Sequence, residues 1–332
     1  MPKLLKWVLK TNERLLIVLI IIIVGIFSII SPAFRSIQTV LNIARALIIP
    51  SISALSLLIV FIAGGVDMSF MAIASVSMYV SVKIINAISA NPPLILAFFV
   101  GAVVGILLGL LNSFFVTKTK MPIFIVTLST MFILKGATLS FIGTDVLQVP
   151  PSMVELSRLF IFSVDTADGG RVGLNISFLI VVALYLLIYL LLKYTKFGRK
   201  LYALGGDRVA ATRAGINVTA TLVAMFMLSG FVASIAGVLN ASLLRLASAG
   251  DMIGGELPVM AAVILGGADS QKGKGSVVGT ALGVLMITLI NNSLNLLHIP
   301  SYWQESVLGV IIILGTLFQS FSKSKSHDSL AI

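Results

Sequence analysis

Apolar stretches of about twenty residues recur along this chain between short polar loops, and no other feature constrains its fold as strongly. Leu15 to Ile30 is apolar throughout except for Gly25 and Ser28. A hydrocarbon core about 30 Å thick takes roughly 20 helical residues to cross, whereas a barrel strand would alternate with a two-residue period. Composition agrees: 58% hydrophobic and 11% charged residues, with a mean hydropathy of +1.11, exclude a water-soluble domain of 332 residues. The expected fold class is an all-α polytopic membrane protein in which residues 1–332 form one transmembrane domain. About ten transmembrane helices are expected, over 15–33, 46–64, 68–90, 94–116, 122–142, 174–192, 219–243, 254–268, 276–297 and 302–321.

Basic residues set the expected orientation. Lys3, Lys6, Lys10 and Arg14 precede the first apolar run, which no small-x-small site closes, so it reads as an uncleaved span. Cytoplasmic N- and C-termini place 16 of the 23 Lys and Arg on the cytoplasmic side, six of them between Lys193 and Arg213. Arg35, Arg45, Arg158, Arg171 and Arg245 fall outside, and Lys83 and Lys135 lie within spans. The net charge of +11 then reports topology and contact with the lipid bilayer, not nucleic-acid binding. Five spans precede the long outer loop 143–173 and five follow it, so two duplicated five-helix halves would form an inverted repeat. The best internal echo, Gly64-Gly65-Val66-Asp67 against Gly266-Gly267-Ala268-Asp269, is offset by 202 and does not line up with the halves, so it reads as two similar helix breaks.

The inventory for bond chemistry is thin. Two histidines, His298 and His327, without cysteines assemble no metal site, and Lys272-Gly273-Lys274-Gly275-Ser276 lacks the spacing of a phosphate loop. No catalytic residue, metal or cofactor is expected in this chain, and any ATP has to be bound by another one.

Three polar features remain. In Gly64-Gly65-Val66-Asp67-Met68-Ser69, Asp67 either caps the following helix or, with Ser69, lines or gates a pathway, since an uncompensated acid at the centre of a span costs about 2.5 to 3.5 kcal/mol. Thr288, Asn291, Asn292 and Asn295 gather on one helical face, suited either to a hydroxyl-rich neutral solute or to hydrogen bonds between helices. Asn112 and Asn240 read as structural amides, and Gly101, Gly105 and Gly109 as a helix-packing seam. The third feature is the cassette Ala203 to Ile216 in the basic loop 193–217. Gly205 and Gly206 break the preceding element, Asp207 caps a helix of about two turns, and Gly215 stops it in the left-handed conformation. With Arg208 and Arg213 exposed, such a helix suits a soluble cytoplasmic partner.

This cassette, the break from Gly64 to Ser69, and the stretch from Pro258 through Gly267 to Gly275-Ser276-Val277-Val278-Gly279-Thr280 resemble the inner-membrane permease subunits of binding-protein-dependent ABC importers of the ribose and related sugar type. Met68, Phe70 and Met71 are bulkier than the family's usual residues, and Lys272 and Lys274 add charges to its paired-glycine turn. The resemblance implies a multi-pass permease in a bacterial or archaeal cell membrane. Its implied partners are cytoplasmic ATP-binding cassette subunits, an extracytoplasmic solute-binding protein and a second permease copy or homologue. It also implies that Gly205, Gly206, Asp207, Arg208, Ala210, Ala211, Arg213 and Gly215 form the segment that couples to the ATPase. A monosaccharide such as ribose is the implied solute. Permeases for nucleosides, autoinducer-2-like furanoses or branched-chain amino acids remain alternatives, as does an ion-coupled secondary transporter working through Asp67 and Glu256.

Overall fold

A helix with no polar face has to lie inside a protein or face lipid, and the chain sorts its helices between these two environments. In the computed structural model, the described residues are 12–142, 145–165, 170–300, 303, 304, 306, 307, 309, 310 and 313. Most of the span expected over 302–321, and the basic residues Lys3, Lys6, Lys10, Lys323 and Lys325, lie outside them.

The chain forms α1 (Asn12–Ile30), a bent pair α2 (Ile37–Ala46) and α3 (Ile48–Ile62), α4 (Phe70–Ile88), α5 (Leu94–Thr119), and α6 (Ile123–Ala137), which ends in a wide π turn over Thr138–Ile142. Next come β1 (Leu147–Gln148), α7 (Pro151–Arg158) and the hairpin of β2 (Phe160–Asp165) with β3 (Arg171–Asn175). The remainder is α8 (Ser177–Tyr194), α9 (Lys196–Gly206), α10 (Arg208–Arg213), α11 (Val218–Leu244), β4 (Leu246–Ala247), α12 (Glu256–Leu265) and α13 (Val277–Leu296). Eight stretches among the described residues are long and apolar enough to cross a bilayer, so this is an all-α polytopic membrane protein with two short antiparallel ribbons. At one end, here the basic end, lie the turns 63–69, 119–122, 195–217 and 266–276. Both ribbons and α7 lie at the other.

Two expected spans differ from what is found. The second begins at Ile37, not 46, because the polar residues Gln38, Thr39, Asn42 and Arg45 depress hydropathy without breaking the helix. A single turn residue, Leu47, separates α2 from α3, one turn before Pro50, which cannot donate a backbone hydrogen bond. Arg45 therefore sits within a helix, where its guanidinium donates to the Leu243 carbonyl at 3.1 Å. The helix expected over 254–268 covers only Glu256–Leu265, whose 10 residues reach about 15 Å, half a bilayer. The rest of that crossing is the non-helical chain 245–255.

The centre belongs to α3 and α11. Every residue from Ser51 to Ile62 is buried, and α11 packs chiefly on α5. A Cβ on Gly105 or Gly109 would strike the carbonyl of Gly230 or of Phe226, so the Gly101, Gly105, Gly109 row is indeed a packing seam. By contrast, only 6% of the apolar window of α1 is buried.

The internal echo resolves into two matching helix ends. Gly64 (φ +84°) and Gly267 (φ +90°) each carry a left-handed cap, with Gly65 N–H donating to Val60 O and Ala268 N–H to Val263 O. The two caps are related by an offset of 203, one more than the sequence echo suggests, and both lie at the basic end.

Candidate functional site: the basic end and the broken helices

Asp207 ends α9 and starts α10, its carboxylate accepting from Val209 N–H at 2.7 Å and Ala210 N–H at 3.1 Å. Gly215 closes α10 at φ +79°, with Ile216 N–H donating to Ala211 O. Arg208, Val209, Ala210, Thr212 and Arg213 are exposed, and Ala211 is buried against the body. The glycine pair behaves differently from expectation, since α9 stays helical through Gly206. Gly205 is there for close approach. A Cβ on it would meet Ile62 O, Gly273 Cα at 2.7 Å and Gly64 N at 2.9 Å, so α9 rests directly on the capped turn at Gly64 and on the Asp269–Lys274 turn at Gly273.

Behind Gly64 the chain re-enters the bundle unhelically, and each backbone group there needs a partner. Thr127 of α6 supplies two, accepting from Met68 N–H at 3.1 Å and donating to Val66 O at 3.2 Å. Asp67 accepts from Ser69 N–H at 2.7 Å and from the Ser69 hydroxyl at 2.6 Å, and that hydroxyl accepts from Asn112 at 2.8 Å. Asp67 thus folds the turn that opens α4. Asp67, Ser69 and Asn112 are all buried, while Asp67 Oδ2 and Asn112 Oδ1 have no hydrogen-bond partner. Next to them the Ser56 and Ser229 hydroxyls lie 2.9 Å apart, tying α3 to α11.

A cavity of about 200 Å³ lies midway through the bundle, between Pro50 on α3, Met71 on α4, Gly255, Pro258 and Ala262 around α12, and Thr288 and Asn291 on α13. Asn291 Oδ1 is buried without a hydrogen bond. Of the polar face expected on α13, only Thr288 and Asn291 reach this cavity. The Asn292 amide donates back to Thr288 O at 3.1 Å, and Asn295, two turns or about 10 Å further along, accepts from Gln304 at 2.8 Å. Neither Asp67 nor Glu256 lines it, and both Glu256 carboxylate oxygens accept from Gly254 N–H, at 3.1 and 2.9 Å.

Met71, Pro258 and Gly255 escaped the sequence reading as lining residues. Their signal was present in an apolar run too short to span, flanked by Gly254-Gly255 and carrying Pro258.

The family described as branched-chain amino acid transport system / permease component matches residues 39–315. The ribose import permease protein of Haemophilus influenzae is 33% identical over 94% of each chain, and that of Bacillus subtilis 34% identical over 89% of each. A probable ABC transporter permease protein of Escherichia coli K12, YphD, is 36% identical over 92% of this chain and 89% of its own. No solved structure matches. With most of its length inside that family and aligned end to end with such relatives, this chain belongs to the permease components of the branched-chain amino acid transport type, the membrane subunits of ABC transporters.

Proposed function

We propose that this permease subunit, which is not itself an enzyme, forms with a second copy or a homologue the translocation pathway for a monosaccharide of the ribose type. Separate ATP-binding cassette subunits power it, and an extracytoplasmic solute-binding protein feeds it. The observation that carries the reading is the near-complete alignment with two ribose import permeases. The chemistry of the cavity agrees. Thr288 and Asn291 offer a hydroxyl and an amide, and no charged side chain lines the cavity to pair with the ammonium or carboxylate of an amino acid.

In this reading the basic end is cytoplasmic, as are both termini, and residues 193–217 form the coupling loop. The ATPase grips the exposed face of α10 at Arg208, Ala210 and Arg213. Movement of α9 then passes through Gly205 to the turns at Gly64 and Gly273, which lead into α4 and α13, two walls of the cavity. At about 200 Å³ the cavity is smaller than ordinary ligand sites, which run from about 300 Å³, so passage requires these walls to part. An inverted repeat suits the two non-helical re-entries, 63–69 before α4 and 245–255 before α12, which start from opposite ends of the bundle.

The test is uptake of labelled ribose by vesicles holding the assembled importer with ATP inside and binding protein outside. Excess unlabelled ribose should compete and leucine should not. Competition by leucine alone would reassign the solute.

A further inference from the structure

A groove of about 530 Å³ runs between α8 and α13, with α3 and its preceding Leu47 as the floor. Phe178, Val181, Val182, Leu186 and Leu285 make its walls apolar; of its two phenols, Tyr185 turns its hydroxyl inward to Ser51 O at 3.2 Å and Tyr189 lies at its end. From Phe178 to Tyr189 the groove follows α8 for about 16 Å, close to the thickness of one leaflet. It shares Tyr189 and Val277 with an adjoining hollow of about 510 Å³, whose lining includes Lys193, Arg199, Tyr202 and Ser276. An apolar slot one leaflet long therefore ends in a basic mouth at the level of the membrane surface.

The mouth is built for an anion. Lys193 donates to the Tyr189 hydroxyl at 2.7 Å and lies over the rings of Tyr189 and Tyr194, which hold the ammonium beside the groove. Neither Lys193 nor Arg199 has an acidic partner among the described residues. The Ser276 hydroxyl donates to Glu13 at 2.6 Å, and the Tyr202 hydroxyl donates to Gly275 O at 2.9 Å.

We propose that an anionic phospholipid occupies this site, with an acyl chain along Val182, Leu186 and Leu285 and its phosphate between Lys193 and Arg199. The lipid sits against the start of α9, which leads to the coupling segment, and it wedges α8 against α13.

Native mass spectrometry of the full chain, released from neutral detergent and titrated separately with phosphatidylglycerol and phosphatidylcholine, tests this. The wild type should retain phosphatidylglycerol in preference to phosphatidylcholine. The double variant Lys193→Gln, Arg199→Gln should weaken phosphatidylglycerol binding roughly 10- to 30-fold and leave phosphatidylcholine binding unchanged, while Lys193→Arg, Arg199→Lys should keep the preference. Val182→Trp, which fills the slot from its exposed side, should weaken binding of both lipids. Glycerol phosphate, lacking the acyl chain, should not compete. Equal retention of the two lipids by the wild type, or an unchanged preference in the Gln variant, would overturn the proposal. So would competition by glycerol phosphate, or a Val182→Trp variant that dissociates a dimer of the chain while lipid binding stays the same.

Discussion

Replacing Gly205 and Gly206 one at a time by alanine separates close packing from helix breaking, because the two neighbours sit in the same helix and differ only in what surrounds them. A Cβ at Gly205 falls onto three backbone segments, at Ile62, Gly64 and Gly273, and backbone cannot rotate away as a side chain can. Overpacking costs about 1–3 kcal/mol, and three backbone clashes put this site in the upper part, about 2–3 kcal/mol, against which alanine returns about 1 kcal/mol of helix propensity, leaving a net loss of about 1–2 kcal/mol. A Cβ at Gly206 meets nothing within 4 Å, so Gly206→Ala is neutral or gains about 0.5–1 kcal/mol. In thermal unfolding of the purified chain, at about 2 °C per kcal/mol for a large domain, Gly205→Ala should melt about 2–4 °C below wild type and Gly206→Ala at or slightly above it. In the assembled importer, solute-stimulated ATPase activity should fall for Gly205→Ala and persist for Gly206→Ala. Matching behaviour of the two variants, or a neutral Gly205→Ala, would refute the claim that α9 bears on the turns at Gly64 and Gly273.

Two further substitutions examine the interior. Asp67→Ala strips the partner from Ser69 N–H and from its hydroxyl in a buried turn, and should cost about 1–3 kcal/mol, read as lower folded yield and a lower melting temperature. Asp67→Asn keeps an acceptor oxygen and should retain most of that stability. At the cavity, Asn291→Ala should reduce ribose transport about tenfold at subsaturating solute, the worth of roughly one hydrogen bond, whereas Asn295→Ala, which disturbs only the contact with Gln304, should transport within about twofold of wild type.

Much of this architecture is written in hydropathy alone, because a lipid-exposed helix such as α1 or α8 must be apolar over its whole length. Hydropathy fails where protein replaces lipid. The amphipathic α2 reads as a loop because Gln38, Asn42 and Arg45 are polar, yet α2 packs on the outer β3 strand and on α13. The short α12 reads as a longer helix over 254–268 since the flanking glycines and Ala268 are not polar enough to mark where the helix stops. In the cassette, the cap at Asp207 and the stop at Gly215 are local chemistry and were legible, but the purpose of Gly205 depends on Ile62 and Gly273, far away in sequence. The α13 face shows the same division. Its four polar residues share a side, as helical spacing requires, and only tertiary packing decides that the cavity is tall enough for Thr288 and Asn291 but not for Asn295.

The central claim is that this chain is a passage without an engine, and solute accumulation in vesicles tests it most directly. Reconstituted alone, with a proton or sodium gradient imposed, the chain should give no ribose uptake above the outside concentration. Adding the ATPase subunits, ATP and binding protein should produce accumulation that stops when ATP is withdrawn. Concentrative uptake by the chain alone, driven by an ion gradient, would contradict the account.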